Sequence, residues 1–269
     1  MAKTNFTDHP LMTLFYLILA WAYARVFGGQ QMLHYPLFRE PGQGLLEGQR
    51  HFTDLCVERL GVLTGRDLLE IGCGNGEQAI YVHGRYRPKS TRGIDLHAPH
   101  VNHANRLVQL QGLQNIIFAL DDAQWLGSVS DASVDALICI ESAHHYPDKA
   151  AFLAQVHRVL RPGGRFLIAE LLQLVERRPS LLDRGKSTYY WTLDQYRAAL
   201  AAVELEVSET EDISDRLLAG FATSSTWFMG TARGPAAWAG RLLGRALVAY
   251  YSWQLRSARR YWLLAGSRL

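Results

Sequence analysis

Alternate glycines follow an apolar run near residue 70, and their spacing suits a close approach of the backbone to a ligand. The run Leu68-Leu69-Glu70-Ile71 is followed directly by Gly72-Cys73-Gly74-Asn75-Gly76. Glycine adopts left-handed backbone conformations at little cost, and it has no Cβ that would exclude a bound molecule. The spacing lacks the third glycine of the Gly-x-Gly-x-x-Gly turn of dinucleotide-binding proteins. We therefore predict a strand-to-helix turn that contacts a ligand of another kind.

Acidic residues stand at the ends of the next apolar runs. Asp95 closes the run Gly93-Ile94-Asp95, Leu96 follows it, and Asp121-Asp122-Ala123 and Glu141 come after two later runs. In a parallel sheet the carboxyl ends of the strands lie along one edge, so these acids would gather beside the glycine turn. Any one of them alone could be a helix cap or a solvated loop charge. Their regular recurrence at strand ends indicates a binding site.

Two histidines and a glutamate are the candidates for proton transfer. His144 and His145 follow Glu141, and Glu170 closes the next apolar run. Imidazole titrates near neutral pH, and a neighbouring carboxylate can fix its tautomer. We predict His145 as a base, with His144 as the alternative and Glu170 as the residue that orients the ring. The other interpretation is that one histidine packs against the loop and Glu170 caps the next segment.

Strands and helices alternate from residue 67 to residue 172, and this alternation predicts the fold class. The strands are short and continuously apolar, as is typical of parallel strands covered on both faces. The predicted strands are Asp67–Ile71, Thr91–Asp95, Asn115–Leu120, Val134–Glu141, Arg165–Leu172, Leu205–Thr210 and Tyr261–Ala265. The predicted helices are Gln49–Leu63, Glu77–Arg87, Ala98–Gln111, Asp148–Leu160 and Leu193–Ala202. We predict an α/β, Rossmann-like doubly wound sheet of seven mostly parallel strands.

The glycine turn resembles motif I of class I S-adenosylmethionine-dependent methyltransferases, E/D-x-G-x-G-x-G, position by position. Asp95, Asp121-Asp122, Asp135–Glu141 and Leu160–Gly164 stand in the order of that family's later motifs, so the resemblance covers residues 49–170. It implies S-adenosylmethionine as the cofactor, with Asp95 on the ribose hydroxyls and an acid of the Asp121-Asp122 pair on the adenine amino group. The cofactor-binding residues implied by the resemblance are Glu70, Gly72, Cys73, Gly74, Gly76, Asp95, Leu96, Asp122, Ala123 and Glu141.

The run Glu141–Pro147 is similar to one in sterol C-methyltransferases, and natural-product O-methyltransferases often carry His-His at this place. This resemblance implies a small, largely apolar substrate such as a natural product or a lipid. Transfer to a hydroxyl requires a base, and we favour O-methylation with His145 in that role. One alternative is C-methylation of an isoprenoid alkene, in which Glu141 and aromatic rings stabilise a carbocation. The other is a non-methylating protein that binds the cofactor, such as a cyclase or a partner subunit.

Apolar and aromatic segments flank the predicted core. We divide the chain into an N-terminal helical cap (1–48), a cofactor-binding core (49–214 and 258–269) and a helical insertion that caps the substrate (215–257). The segment Leu11–Phe27 is short for a transmembrane helix and contains Arg25, and a signal peptide would have only Lys3 as its charged start, so we expect a buried or interfacial helix that covers the active site. Arginines crowd the last forty residues, where we expect a solvated face, with peripheral contact to anionic lipid or an acidic carrier as the alternative.

Composition narrows the remaining classes of fold and function. The chain has 269 residues, of which 48% are hydrophobic and 20% charged, and its formal net charge is +3. Such a chain suits one large α/β domain, and a charge this small gives no basis for nucleic-acid binding. Cys56, Cys73 and Cys139 lack metal-ligand spacing and favour a reducing, cytoplasmic compartment. Glu141, Asp148 and Glu170 are too few to argue for a metal, and nothing indicates an oligomeric state.

Overall fold

The computed structural model describes residues 31–178, 180, 183, 187–223 and 235–269. A seven-stranded sheet forms the centre of these residues, in the order β3-β2-β1-β4-β5-β7-β6. Its strands are β1 (Asp67–Ile71), β2 (Ser90–Asp95), β3 (Ile116–Leu120), β4 (Val134–Ile140), β5 (Leu160–Gln173), β6 (Leu205–Asp212) and β7 (Arg259–Arg268). Neighbours among β1 to β5 pair parallel, whereas β7 runs antiparallel to both β5 and β6. The predicted fold class is confirmed.

Helices connect the strands and cover the sheet on both sides. They are α1 (Leu45–Glu58), α2 (Glu77–Tyr86), α3 (Ala98–Gln111), α4 (Lys149–Val159), α5 (Leu193–Ala202), α6 (Ser214–Thr223) and α7 (Pro235–Ser257). Local sequence explains several ends. The Asp148 carboxylate accepts from the Ala151 amide at 2.9 Å and caps α4, Thr192 and Gln195 form a capping box on α5, and Gly112 ends α3 in a left-handed conformation.

Burial on both faces explains the unbroken apolar strands. Ala136 and Ile138 of β4 belong to one core cluster, which also contains side chains of α1 and α6. The alternate residues Leu137 and Cys139 belong to a second cluster, which contains side chains of α4 and α5. Successive residues of a strand point to opposite faces, so a strand covered twice must be apolar at every position.

The structure corrects three expectations about elements. Residues 31–44 contain no helix, although we expected a helical cap over residues 1–48, and α1 runs over Leu45–Glu58 rather than Gln49–Leu63. Leu60 and Leu63 are nevertheless fully buried, because the chain beyond α1 continues to pack against the core. Strand β5 begins at Leu160, so the Arg161–Gly164 turn lies within the strand as an irregularity. Val134 pairs with Leu160 and Ala136 pairs with Arg165.

The strand order places the site. β2 lies on one side of β1 and β4 on the other, so the connections out of these strands leave a crevice at their carboxyl ends. The glycine turn, Asp95 and Glu141 all stand at that edge. The segment Leu11–Phe27 lies outside the described residues, and the division of the chain into two caps and a core stays a prediction.

Candidate functional site

The glycine turn leaves β1 in a conformation that glycine favours. Gly72, Gly74 and Gly76 all have positive φ values, of 72°, 50° and 82°. The amides of Gly72 and Cys73 donate to the carbonyl oxygen of Ile94 at 2.8 and 2.9 Å, which ties the turn to β2. A Cβ on Gly72 would overlap the Ser142 side chain and lie 3.2 Å from the Tyr146 hydroxyl. The loop after β4 therefore packs directly against this backbone.

A cavity opens above the turn at the carboxyl edge of the sheet. Its walls include seven of the ten residues predicted to bind the cofactor: Gly72, Gly74, Asp95, Leu96, Asp122, Ala123 and Glu141. Glu70, Cys73 and Gly76 lie behind the wall. Burial and the charge of Asp95 raise the pKa of the Glu70 carboxyl well above its usual range, and its Oε1 accepts from Gln78 at 3.1 Å. Glu70 supports the turn from below.

The acids at the ends of β2 and β3 organise the loops that carry them. Asp95 accepts from the Gly74 amide at 2.9 Å through one oxygen and from the His97 amide at 2.8 Å through the other. Asp122 Oδ1 accepts from the amide of Gln124 at 2.9 Å and from its side chain at 3.1 Å. Both carboxylates thus stay on the cavity wall. Carboxylate acceptors at this edge suit the hydroxyl and amino groups of a nucleoside.

Glu141 stands at the end of β4 in a strained conformation. Its φ is 50°, which is rare for a residue other than glycine and is typical of functional sites. Its Oε1 accepts from the Tyr35 amide at 2.6 Å and from the Tyr261 hydroxyl at 3.0 Å. Burial raises the pKa of Glu141 to about 8, although these two hydrogen bonds lower it. At neutral pH the carboxyl group is therefore mostly protonated.

This protonation predicts a pH dependence of stability. The pKa of Glu141 rises from 4.5 to about 8 on folding. The stability that the protonated Glu141 contributes to the folded state is therefore fully present below pH 4.5 and is lost as pH rises through 8. Glu141→Gln, which mimics the protonated acid, should make the free energy of unfolding less dependent on pH over this range. The measurement is the free energy of unfolding by urea at pH values from 5 to 9.

Glu206, exposed on β6, offers a matched Glu→Gln control. Glu206→Gln should leave the curve of the natural protein unchanged. Parallel curves for Glu141→Gln and the natural protein would contradict the assignment of a protonated Glu141.

His145 faces the cavity from the short 3-10 turn Ala143–His145 that follows β4. Its Nδ1 lies 3.2 Å from the carbonyl oxygen of Ser187. A carbonyl oxygen only accepts, so this hydrogen bond assigns the ring proton to Nδ1 and the lone pair to Nε2. In this tautomer the ring is suited to take a proton. The Ser187 carbonyl holds the position that we expected Glu170 to hold.

Glu170 lies behind the cavity wall, beside the other histidine. It is fully buried, it accepts from the Tyr196 hydroxyl, and its Oε2 lies 3.9 Å from His144 Nδ1. Burial raises the pKa of Glu170, and burial lowers the pKa of His144 well below its usual value. The structure therefore brings Glu170 together with His144, and His145 with the cavity.

Lys149 completes this buried cluster and links two loops. Its side chain is fully buried, and its Nζ donates to the carbonyl oxygens of Tyr146, at 3.3 Å, and of Tyr189. Burial lowers its pKa, and the charge of Glu170 opposes that effect. Tyr146 and Tyr189 both line the cavity. The buried lysine thus holds two walls of the cavity in register.

Several cavity residues were not singled out from the sequence, among them Leu33 and His100. Ser187 and Tyr189 also belong to this set. Leu33, Ser187 and Tyr189 come from segments outside helices and strands, which carry no periodic signal. The aromatic run Tyr189-Tyr190-Trp191 is the one feature of the sequence that indicates a role for this segment in the site.

Aromatic rings pack beside Glu141, whose Oε1 accepts from the Tyr35 amide. The Tyr35 ring lies 4.5 Å from Tyr251 of α7 and 5.5 Å from Tyr261 of β7, measured between centroids. Phe221 of α6 lies 6.1 Å from Tyr35. These rings belong to the core cluster or pack against it. They lie between α7 and Glu141, so the surroundings of this carboxyl group are largely apolar.

Within the described ranges, no group of three or more His, Cys, Asp or Glu residues could hold a metal ion. No helix in that part of the chain combines the length and the apolar character needed to cross a membrane.

Known proteins resemble this chain in sequence and in fold. A family model described as a methyltransferase domain matches residues 69–168. The 27-O-demethylrifamycin SV methyltransferase of Amycolatopsis mediterranei (strain S699) is 33% identical over 192 residues, which are 68% of this chain and 69% of that relative. The fatty-acid O-methyltransferase of Mycolicibacterium smegmatis (strain ATCC 700084 / mc(2)155) is 41% identical over 106 residues, 39% of this chain and 37% of the relative.

The solved structure of the 4+2 cyclase SpnF is similar over the whole chain. The TM-score is 0.76, with 21% identity, and the match covers 99% of this chain and 97% of that one. At this identity the likeness speaks for the fold alone. The residues matched by the family model run from the glycine turn through His145 and end before Glu170.

Proposed function

Because this chain belongs to the class I S-adenosylmethionine-dependent methyltransferases of the natural-product and lipid type, we propose that it methylates a hydroxyl oxygen of a lipophilic small molecule. Membership rests on the rifamycin-type relative, which is 33% identical and of which the match covers more than two thirds. The names of both reported relatives refer to oxygen as the methylated or demethylated atom.

The carboxyl edge of the sheet suits S-adenosylmethionine. Gly72 and Gly74 of the glycine turn lie on the cavity wall, and Asp95 and Asp122 present carboxylates on the same wall. When bound, the cofactor supplies a methyl group that its sulfonium already activates. The residues that we propose to hold it are Gly72, Gly74, Asp95, Leu96, Asp122 and Ala123. Glu70, Cys73 and Gly76 would act by keeping the turn in shape.

The observation that carries the proposal is the placement of His145 on the cavity wall, with its Nδ1 3.2 Å from the carbonyl oxygen of Ser187. With its proton on Nδ1, the ring presents the lone pair of Nε2 and can remove the proton of an acceptor hydroxyl. A base is needed when the acceptor is a neutral hydroxyl, because the oxygen must lose its proton as the methyl group arrives. His145 lines the same cavity as the glycine turn, so the acceptor and the cofactor can share it.

Apolar side chains on the same cavity support a lipophilic acceptor. Leu33, Ile140, Tyr146, Pro147 and Tyr189 line it together with the polar residues named above. A pocket of this kind excludes water from the acceptor and gains affinity from apolar contact. Lys149 fixes the backbone of Tyr146 and Tyr189, so this wall is preorganised.

The protonated state of Glu141 argues against C-methylation of an alkene. Such a reaction passes through a carbocation, which a carboxylate would stabilise by its charge. With its pKa raised to about 8, Glu141 is mostly neutral at pH 7 and is a hydrogen-bond donor instead. A neutral acid can bind a substrate oxygen, which again favours an oxygenated acceptor.

The test is turnover with a panel of lipophilic acceptors. Formation of S-adenosylhomocysteine is measured with long-chain alcohols, phenols, fatty acids and prenyl alkenes, and the product is located by mass spectrometry. We expect methylation at oxygen with alcohols or phenols. A carbon-methylated alkene would replace the proposal with C-methylation. Conversion of an acceptor without S-adenosylhomocysteine would indicate a non-methylating enzyme such as a cyclase.

A further inference from the structure

Helix α7, residues Pro235–Ser257, has an unusual distribution of charge. Its 23 residues include three arginines and neither aspartate nor glutamate. The next two arginines along the chain differ, because Arg259 pairs with Asp183 at 2.7 Å and Arg260 pairs with Asp212 at 2.7 Å. The arginines that follow α7 are thus compensated within the protein, whereas α7 brings no acid of its own.

One side of α7 is docked on the core. Gln254 and Leu255 are buried, and Val248 and Tyr251 pack against the core cluster. The contact of Tyr251 with Tyr35 continues to Glu141, whose side chain lines the cavity. The docked side therefore lies close to the proposed acceptor pocket.

The other side of α7 exposes apolar and basic residues together. Leu242 is 57% exposed and Trp253 is 58% exposed. Arg245, Ala249 and Arg256 are exposed as well, and all five follow one another at intervals of three or four residues. That interval places them on one face of a helix. Tryptophan and leucine flanked by arginines are typical of helices that lie in the interface of a lipid bilayer.

The segment after β5 extends this surface. The Leu174 amide donates to the carbonyl oxygen of Ala258 at 3.4 Å, which places it beside the end of α7. Leu174 and Val175 are 58% and 51% exposed, and the exposed Arg177 and Arg178 follow them. One exposed acid, Glu176, lies among these residues. Exposed aliphatic residues again stand next to arginines.

We propose that this surface, made of the exposed face of α7 and residues 174–178, binds a membrane that contains anionic lipid. The arginines complement negative headgroups, and Trp253, Leu242, Leu174 and Val175 insert among them. The aromatic rings beneath α7 lie between this surface and Glu141 on the cavity wall, so membrane binding would hold the cavity near the bilayer, where a lipophilic acceptor is concentrated. The proposal goes beyond methyl transfer and does not depend on which atom is methylated.

The experiment is co-sedimentation of the full chain with sucrose-loaded vesicles. Vesicles of phosphatidylcholine alone are compared with vesicles that also contain phosphatidylglycerol, at low and at high salt. We expect binding to the anionic vesicles that weakens as salt screens the charges. Arg245→Gln and Arg256→Gln should each lower the partition coefficient about fivefold, which corresponds to the free energy typical of one arginine near an anionic surface. Trp253→Ala should lower it on both kinds of vesicle.

Matched controls lie toward the opposite edge of the sheet, near β3. Trp125 is 54% exposed and Arg106 is exposed on α3, so Trp125→Ala and Arg106→Gln should bind vesicles like the natural protein. Affinity for S-adenosylmethionine, measured on every variant, identifies any that fail to fold. Equal binding to neutral and anionic vesicles, or equal losses in the controls, would overturn the proposal. So would a dimer in sedimentation velocity that Trp253→Ala dissociates, because the surface would then join two copies.

Discussion

Replacing His145 with alanine should lower kcat by about 10²–10⁴-fold on a hydroxyl acceptor and leave the affinity for S-adenosylmethionine nearly unchanged. The hydroxyl must lose its proton during transfer, and the ring of His145 has its proton on Nδ1 and its lone pair on Nε2. The loss should shrink as pH rises, because the acceptor then ionises more readily without help. Steady-state kinetics from pH 6 to 10 and calorimetric titration with the cofactor measure the two effects.

A carboxylic acid serves as the matched acceptor for this test. A fatty acid is already ionised near neutral pH, so its methylation needs no base, and His145→Ala should cost it little. Equal losses on an alcohol and on a fatty acid would mean that His145 positions the acceptor and does not take its proton. Near-normal kcat on the alcohol would remove His145 from the chemistry altogether.

His144→Ala is a less suitable control than the sequence suggested. The sequence alone makes His144 the alternative base, so its removal should be milder than that of His145. In the structure its ring stacks on Tyr190, 5.6 Å away between centroids, and lies against the buried Glu170. Removing a buried ring leaves a cavity and takes a neighbour from the buried Glu170 carboxyl group, so we expect a lower free energy of unfolding. A loss of activity in that variant would report on folding as well as on chemistry.

The sequence predicted most of the sheet because its signals are local. The first strand was predicted with the bounds that it has in the structure, and the others among β1 to β4 differ by one residue at an end. Each is a short apolar run bounded by residues that favour turns, which is the pattern that burial on both faces requires. The irregular start of β5 was missed because Pro162 and Gly163 read as a plain turn. Only pairing with β4 shows that the strand continues through them.

The candidate site was predictable where a motif carries it and not where packing decides. Gly72, Asp95 and Asp122 follow from spacing and from strand ends. Burial of Glu170 does not, because an acid at a strand end can point along the edge or back into the core with the same sequence. The partner of His145 does not follow from the sequence either, since Ser187 contributes a backbone carbonyl, which any residue could supply. Side-chain patterns carry no information about such contacts.

The last prediction concerns the turn itself: Gly72→Ala should weaken cofactor binding by at least about tenfold and lower turnover by about 10²-fold. A non-glycine residue at φ of 72° costs about 1–2 kcal/mol. The added Cβ would also overlap the side chain of Ser142, which hydrogen-bonds Tyr146. Relief of that overlap must move either the turn or the loop that carries His145, and a shift of about 1 Å in a reacting group is enough for such a loss.

Gly61→Ala separates the effect of backbone strain from the effect of overlap with Ser142. Gly61 has a φ of 76°, but a Cβ there would meet nothing within 4 Å, and it does not line the cavity. This variant should lose about 1–2 kcal/mol of stability, keep full affinity for S-adenosylmethionine and keep its kcat. The double variant Gly72→Ala/Ser142→Gly, in which the overlapping side chain is removed, should regain part of the lost affinity. If it does not, backbone strain alone explains the loss at Gly72. Unchanged affinity in a folded Gly72→Ala would show that the cofactor does not rest against this turn.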